Sequence, residues 1–342
     1  MAAQGERTWT TAVGLCLAIV AALMVVGCGG DGAGGVPATW LFRVTDLGTL
    51  GGTTSAANAV NDSGQVVGRA WLPGDDHWHA FRWTGGNLID LGTLGGEDSE
   101  ARDINSQGRI VGTAQDALGT DRAFLYYNNQ MHDIGVLPGE IGAEAEAINS
   151  AGQIVGMSGT PFLYDGTMHE LPTPGGGGGA QAINSSGQVA GWFWLTAGSE
   201  AHAFRGTVAA ATDLGANGGT GSNAMGINDD GDVVGYYIDG AHKRLFIYRN
   251  GAMTNIGTLG GASGQAHAIN NAGVVVGIDS TGTNGSHAFL WDGTMHDLND
   301  LLDAASQGWM LFRASDINNH HVIVGQGLNP QGEYHAFIAR PI

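Results

Sequence analysis

Apolar residues in this chain come in short valine-rich runs of four to six, each punctuated by glycine, and not at the three-to-four-residue spacing of an amphipathic helix. Residues 101–105 and 109–114 are two such runs. Asn105, Ser106, Gln107 and Gly108 at their junction suit a type I turn followed by a residue at positive φ, which predicts a tight hairpin. A third run, residues 287–291, carries a phenylalanine, and a fourth covers residues 295–298. Asp292-Gly293 between them, with equivalents at Asp165-Gly166 and Asn250-Gly251, is a strong short hairpin signal. The predicted unit is four short antiparallel strands.

That unit recurs. An Ile-Asn or Val-Asn pair stands at Asn61, Asn105, Asn149, Asn184, Asn228, Asn270 and Asn318. Four residues before each asparagine is an alanine, and seven after it a glycine, from Gly68 in the first unit to Gly325 in the last. Phenylalanines mark the third strands at 81, 124, 162, 204, 246, 289 and 337. An Asp-Leu-Gly-like step at Asp46, Asp90, Asp133, Glu170, Asp213, Asn255 and Asp297 repeats at intervals of 44, 43, 37, 43, 42 and 42 residues. Four strands in about 43 residues is the period of a propeller blade. The chain opens with a lone fourth strand at residues 40–47 and stops after a lone third strand at 335–338. Paired, they complete one blade and hide two exposed edges. The fold class expected for residues 39–342 is therefore all-β, a seven-bladed β-propeller of four-stranded antiparallel blades, with the N-terminal strand outermost in the last. Alanine before each asparagine fits first strands crowded around the axis.

Two stretches depart from the pattern. Residues 172–180, with a glycine run at 175–179, are expected to be loop, and residues 299–305 to form a short helix.

Composition agrees with a turn-rich globular chain, since 60 of 342 residues are glycine, 43% are hydrophobic and only 13% are charged. Formal charge is −19, and Lys243 is the only lysine. A phosphate backbone would be repelled, so nucleic acid is not an expected partner.

Segments such as His287-Ala288-Phe289-Leu290-Trp291 and Asp90-Leu91-Gly92-Thr93-Leu94-Gly95-Gly96 closely resemble the HAF repeats of bacterial extracellular repeat proteins. The resemblance covers residues 41–342 and implies export and repetition, with no established reaction. The histidine of the triplet stands at His79, His202, His287 and His335 and becomes Arg122, Thr160 and Arg244 elsewhere. Residues 1–27 resemble a lipoprotein signal peptide: Arg7, an apolar run over residues 13–26, then Gly27 and Cys28. The resemblance implies lipidation of Cys28, a glycine-rich tether over residues 28–38, and a cell-envelope location, at the outer membrane if the host is Gram-negative. Contact with the membrane would run through the lipid alone. Cys16 is the only other cysteine and lies in the segment to be removed, so a monomer without disulfides is expected.

Neither a nucleophile elbow, a phosphate loop nor a paired-histidine zinc helix occurs, and no cofactor or metal is expected. The recurring histidines are expected to hydrogen-bond a neighbouring blade. Informative positions are those that vary within the constant frame. Three residues before each asparagine stand Asn58, Arg102, Glu146, Gln181, Met225, His267 and Ser315, predicted to face the axis. Loops between second and third strands, on the rim that also receives the crossovers between blades, hold Trp71, Trp78, Trp192, Trp194, Tyr236 and Tyr237. These aromatics, with Arg102, Glu146 and His267, form the predicted binding rim for a glycan, peptide or protein ligand. The leading expectation is a binding or interaction scaffold without turnover. The alternatives are an enzyme acting on an extracellular glycan or peptide and a structural envelope or matrix repeat. Glu144 and Glu146 are candidate carboxylates for the enzyme by location only, and are expected not to share a site.

Overall fold

A computed structural model of the chain describes residues 40–196, 200–282 and 285–342. The signal segment, Cys28 and the tether lie outside the described residues. Among those described, 28 strands form seven four-stranded antiparallel sheets. Residues 55–90, 95–133, 144–170, 176–215, 221–255 and 260–297 make blades 1 to 6, each with its strands in sequence order. Blade 7 combines Met310–Ile317, Ile323–Leu328 and Tyr334–Pro341 with the N-terminal strand Phe42–Asp46 outermost, Phe42 opposite Pro341 and Asp46 opposite Phe337. The ring closes as the sequence predicts.

The core lies between blades. All seven landmark phenylalanines are buried to 1% exposure or less. Each packs against the neighbouring blade: Phe162 of blade 3, for example, clusters with Val111 and Ala123 of blade 2. Seven such clusters fill seven interfaces, the one between blades 7 and 1 included, where Val324, Ala336 and Ile338 meet Val66 and Phe81. Burying one such ring is worth roughly 1.5–3 kcal/mol, so the interfaces carry the hydrophobic stabilisation and the single blade carries little.

The Asp-Leu-Gly step has a local cause. Its acid accepts the amide of the residue two further on, as in Asp90 Oδ1 from Gly92 N at 2.8 Å and Asp213 Oδ1 from Gly215 N at 2.7 Å. That glycine sits at positive φ, 72° for Gly92 and 74° for Gly215, which a residue with a side chain rarely adopts. The intervening leucine, Leu91 or Leu214, drops into the core. The same acid holds the histidine of the triplet on the adjacent strand: Nδ1 of His79, His202 and His335 lies 2.9, 3.0 and 2.9 Å from Asp90, Asp213 and Asp46, and His287 lies 2.6 Å from Asp297. Each of the four histidines therefore bonds an acid of its own blade, where a bond to the neighbouring blade was expected; His79 makes that bond as well, to the Glu97 backbone of blade 2. Only third and fourth strands paired in register bring the two motifs face to face. In blade 2 Arg122 replaces histidine and reaches Asp133 at 2.8 Å.

The glycine run is not a loop. Gly176–Ile183 is the first strand of blade 4, pairing Gly179 with Trp192 and Gly176 with Trp194. A Cβ on Gly179 would stand 3.1 Å from Trp192 Nε1, and one on Gly177 3.3 Å from Trp194 Cδ1. Glycine makes room there for two indoles lying against the strand. The expected helix at 299–305 is two 3-10 turns, Leu298–Leu301 and Ala304–Ser306.

Candidate ligand-binding channel

Every first strand is interrupted by a β-bulge, at Ala57/Ala59, Ala101/Asp103, Ala145/Ala147, Ala180/Ala182, Ala224/Gly226, Ala266/Ala268 and Ala314/Asp316. The extra residues are Asn58, Arg102, Glu146, Gln181, Met225, His267 and Ser315. A bulge leaves one residue unpaired and re-aims its side chain. All seven line one cavity of about 210 Å³, together with the residue that follows each. The glycine seven residues after each asparagine answers to the same distortion: a Cβ on Gly68, Gly156 or Gly325 would overlap the carbonyl oxygen of Ala56, Glu144 or Arg313.

One end of the channel is a girdle of asparagines. Nδ2 of each landmark asparagine donates to the backbone carbonyl of the asparagine in the next blade, at 3.0–3.3 Å, and Asn318 returns to Asn61. The Oδ1 of the same side chain accepts the amide four residues on, closing its own hairpin. These amides are consumed by the frame.

The opposite rim receives the loops between second and third strands and the crossovers between blades, and its chemistry is mixed. Arg69 of blade 1 and Arg102 of blade 2 reach Glu100 Oε2 at 3.3 and 3.6 Å, and Asn58 Nδ2 donates to Glu100 Oε1 at 2.8 Å. Arg313 enters the same space from blade 7. Protein around Arg102 opposes its charge, but the carboxylates of Glu146, Glu100 and Glu144 outweigh that and raise its pKa. Glu146 is pushed up by withdrawal from water, against Arg102, with Glu144 and Glu100 adding to the rise. Glu144 and Glu146 thus both act on the Arg102 guanidinium, while only Glu146 lines the cavity.

His267 is buried, its Nδ1 donating to the Ala314 carbonyl at 2.8 Å, and burial with nearby Arg313 lowers its pKa to about 3. It is a neutral imidazole facing the channel. Two channel groups escaped the sequence reading. Asp103 and Asp316 replace the small residue that follows the bulge in the other blades, and each carboxylate accepts an amide of the next blade, Ile148 N at 2.8 Å and Val60 N at 2.9 Å. Withdrawal from water raises both pKa values, that of Asp316 to about 7, where Asp103 adds to the rise against the Val60 bond. Two acids in a column of alanines and one glycine were the available signal.

The aromatics fall into groups. Trp71 and Trp78 flank one hairpin of blade 1 with ring centres 5.0 Å apart, and Arg69 lies 5.5 Å over Trp78. Trp192 and Trp194 of blade 4 make a second edge-to-face pair at 5.1 Å, with Trp194 exposed. Tyr236 of blade 5 lies 4.3 Å beneath the Lys243 ammonium. Tyr237 is buried in the core, its hydroxyl accepting from Asn255 Nδ2 at 3.0 Å. Among the described residues no group of three or more His, Cys, Asp or Glu side chains could hold a metal ion.

A family model described as a protein of unknown function (DUF3466) matches residues 184–311, a little over a third of the chain. No curated protein matches at a significant level. Among solved structures, the β-propeller domain of the Trilobed protease from Pyrococcus furiosus is 11% identical over 84% of this chain and 93% of its own, with a TM-score of 0.55. A puromycin-hydrolyzing peptidase of Mycobacterium tuberculosis is 12% identical over 84% of this chain, TM-score 0.58, and TolB from Acinetobacter baumannii 9% identical over 82%, TM-score 0.45. The chain spans 51% of that peptidase and 64% of that TolB. At 11 and 12% identity, the likenesses to the Pyrococcus furiosus domain and the Mycobacterium tuberculosis peptidase show the fold alone.

Proposed function

We propose that the protein is a binding scaffold without turnover, made of HAF-type repeats and held at the outside of the cell by a lipid on Cys28, which takes a glycan, peptide or protein ligand at the rim opposite the asparagine girdle. One observation carries the reading: the constant positions of the repeat are spent on holding the ring, whereas the seven bulge residues, which differ from blade to blade, all face one cavity. A frame of that kind changes its specificity at the bulge without disturbing the ring. Trp71, Trp78, Trp192, Trp194 and Tyr236 add faces suited to sugar rings or peptide side chains. The apolar run ending at Cys28 supports the envelope location.

A mixed glycan and peptide array probed with the purified full-length chain tests this. Alanine at Trp71, Trp192 and Trp194 together is expected to abolish the signals while the fold survives, and unchanged signals would refute the assignment of the rim. A second reading, an enzyme on an extracellular glycan or peptide, draws on Glu146, whose raised pKa beside Glu144 suits a proton donor paired with a carboxylate. Turnover lost on Glu146→Gln would favour it.

A further inference from the structure

Within the binding reading just given, we propose that the channel mouth where blades 7, 1 and 2 meet takes the carboxylate of an acidic sugar residue, held by Arg69, Arg102 and Arg313. The three guanidinium groups line one cavity of about 180 Å³. They come from three blades, and the repeat places no basic residue at the equivalent positions of the others: Arg102 is the only cation among the seven bulge residues. Three of the few bases in a chain of net charge −19 thus share one small space.

The carboxylates at hand do not satisfy them. Glu100 serves both Arg69 and Arg102, at 3.3 and 3.6 Å, and spends its other oxygen on Asn58. The charges of Glu146 and Glu144, from blade 3, also act on Arg102. Arg102 Nε is shielded from solvent and has no hydrogen-bond partner. Arg313 is exposed to the channel and has neither a side-chain hydrogen bond nor an ion pair among the described residues. The surrounding protein and the charges of Arg102 and Arg69 depress its pKa against Glu100. Planar forks of this kind match a carboxylate two bonds at a time.

The neighbours select a sugar. Arg69 lies over Trp78, which packs edge-on against Trp71, so an apolar face adjoins the charge. Ser315 and Gln326 line the same cavity and offer hydroxyl and amide groups. A uronic-acid residue carries an apolar C–H face, hydroxyls and one carboxylate. Strongly acidic surroundings disfavour a polyanion and tolerate one small charge delivered to a local positive lobe.

Calorimetric titration of the full-length chain with galacturonic acid and with its methyl ester tests the proposal, since the ester keeps the sugar and removes the single charge. The acid is expected to bind at least tenfold more tightly than the ester, and Arg313→Gln to weaken the acid about tenfold or more with little effect on the ester. Because Arg313 has no partner to leave behind, Arg313→Gln is expected to melt no lower than the native chain; Arg69→Gln, at an exposed site, gives a second variant with the same expected loss. Equal binding of acid and ester, or acid binding indifferent to both variants, would overturn the carboxylate site and leave the scaffold reading standing. If neither sugar binds while the array shows other ligands, the sugar assignment fails alone. Silence on both would sink the two together.

Discussion

Nδ2 of Asn318 donates to the backbone carbonyl of Asn61 at 3.0 Å across 257 residues of sequence. It is the last of seven identical bonds, and with it the girdle becomes continuous. The same side chain accepts from His320 N at 3.0 Å and Val322 N at 2.9 Å, so one buried amide fixes a hairpin and an interface together.

Asn318→Ala therefore removes three hydrogen bonds made by a buried side chain, with the part-buried amides of His320 and Val322 losing theirs, and is expected to destabilise the protein by about 2–3 kcal/mol. The exposed neighbour Asn319, bonded to Asp62, is the control, with a loss under about 1 kcal/mol expected for Asn319→Ala. Urea unfolding of the two variants checks the difference; similar midpoints would deny the girdle its structural role.

Two glycines separate the demands of the bulge from those of composition. Gly156→Ala drives a Cβ into the Glu144 carbonyl and is expected to cost at least about 2 kcal/mol, because backbone has to move. Gly176→Ala, in the glycine run, meets nothing within 4 Å at an ordinary φ and is expected to be neutral or to stabilise by up to about 1 kcal/mol. Thermal melts of both proteins decide it.

The Asp316 share of stability falls as pH rises from about 4 to about 7, whereas His267, which binds its proton near 6.5 when unfolded and only at about 3 when folded, works the other way below 6.5. Asp316 titrates near 3.8 when unfolded and at about 7 in the channel, so between these values the folded chain binds more protons, and the advantage is gone once pH passes 7. His79 acts in the same direction: its pKa is raised mainly by the hydrogen bond to Asp90, and its contribution, complete below 6.5, is lost as pH climbs through the folded value. The Asp316 part amounts to about 1–3 kcal/mol after allowance for channel water. Asp316→Asn is expected to gain on the native chain as pH rises from about 5 to about 7; a stability difference between the two that does not change with pH would place the proton elsewhere.

Much of the fold was legible because its signals are local. Asn105-x-x-Gly108, the Asp-Gly pairs and the phenylalanine column report turns and buried strand faces within a few residues, and counting them yields seven blades and the closure between Phe42–Asp46 and Tyr334–Pro341. What the sequence concealed depends on neighbours distant along the chain. The landmark asparagine reads as a turn residue, yet its second bond goes to another blade. The triplet histidines pair with an acid of their own blade, which lies ten or eleven residues on for His79, His202 and His287 and on the N-terminal strand for His335, a relation set by strand register. The bulge residues were found as a variable column and correctly placed on the axis. Asp103 and Asp316 were overlooked because alternation would turn the next residue away from the channel, and a bulge cancels alternation. Arg69 and Arg313 join Arg102 only when blade 7 meets blade 1, which no linear spacing reveals. Residues 172–180 read as loop because glycine carries no side chain to show a strand's pattern, and the two indoles that need the space lie on the next strand.

The central claim is that recognition resides in the bulge residues, with the rest of each repeat serving as frame. The array profile of the Arg102→Ala, Glu146→Ala, His267→Ala triple variant, compared with that of the native chain, tests it most directly. The account predicts that the variant melts within a few degrees of the native protein and loses its ligands. An unchanged profile from that folded variant would contradict it.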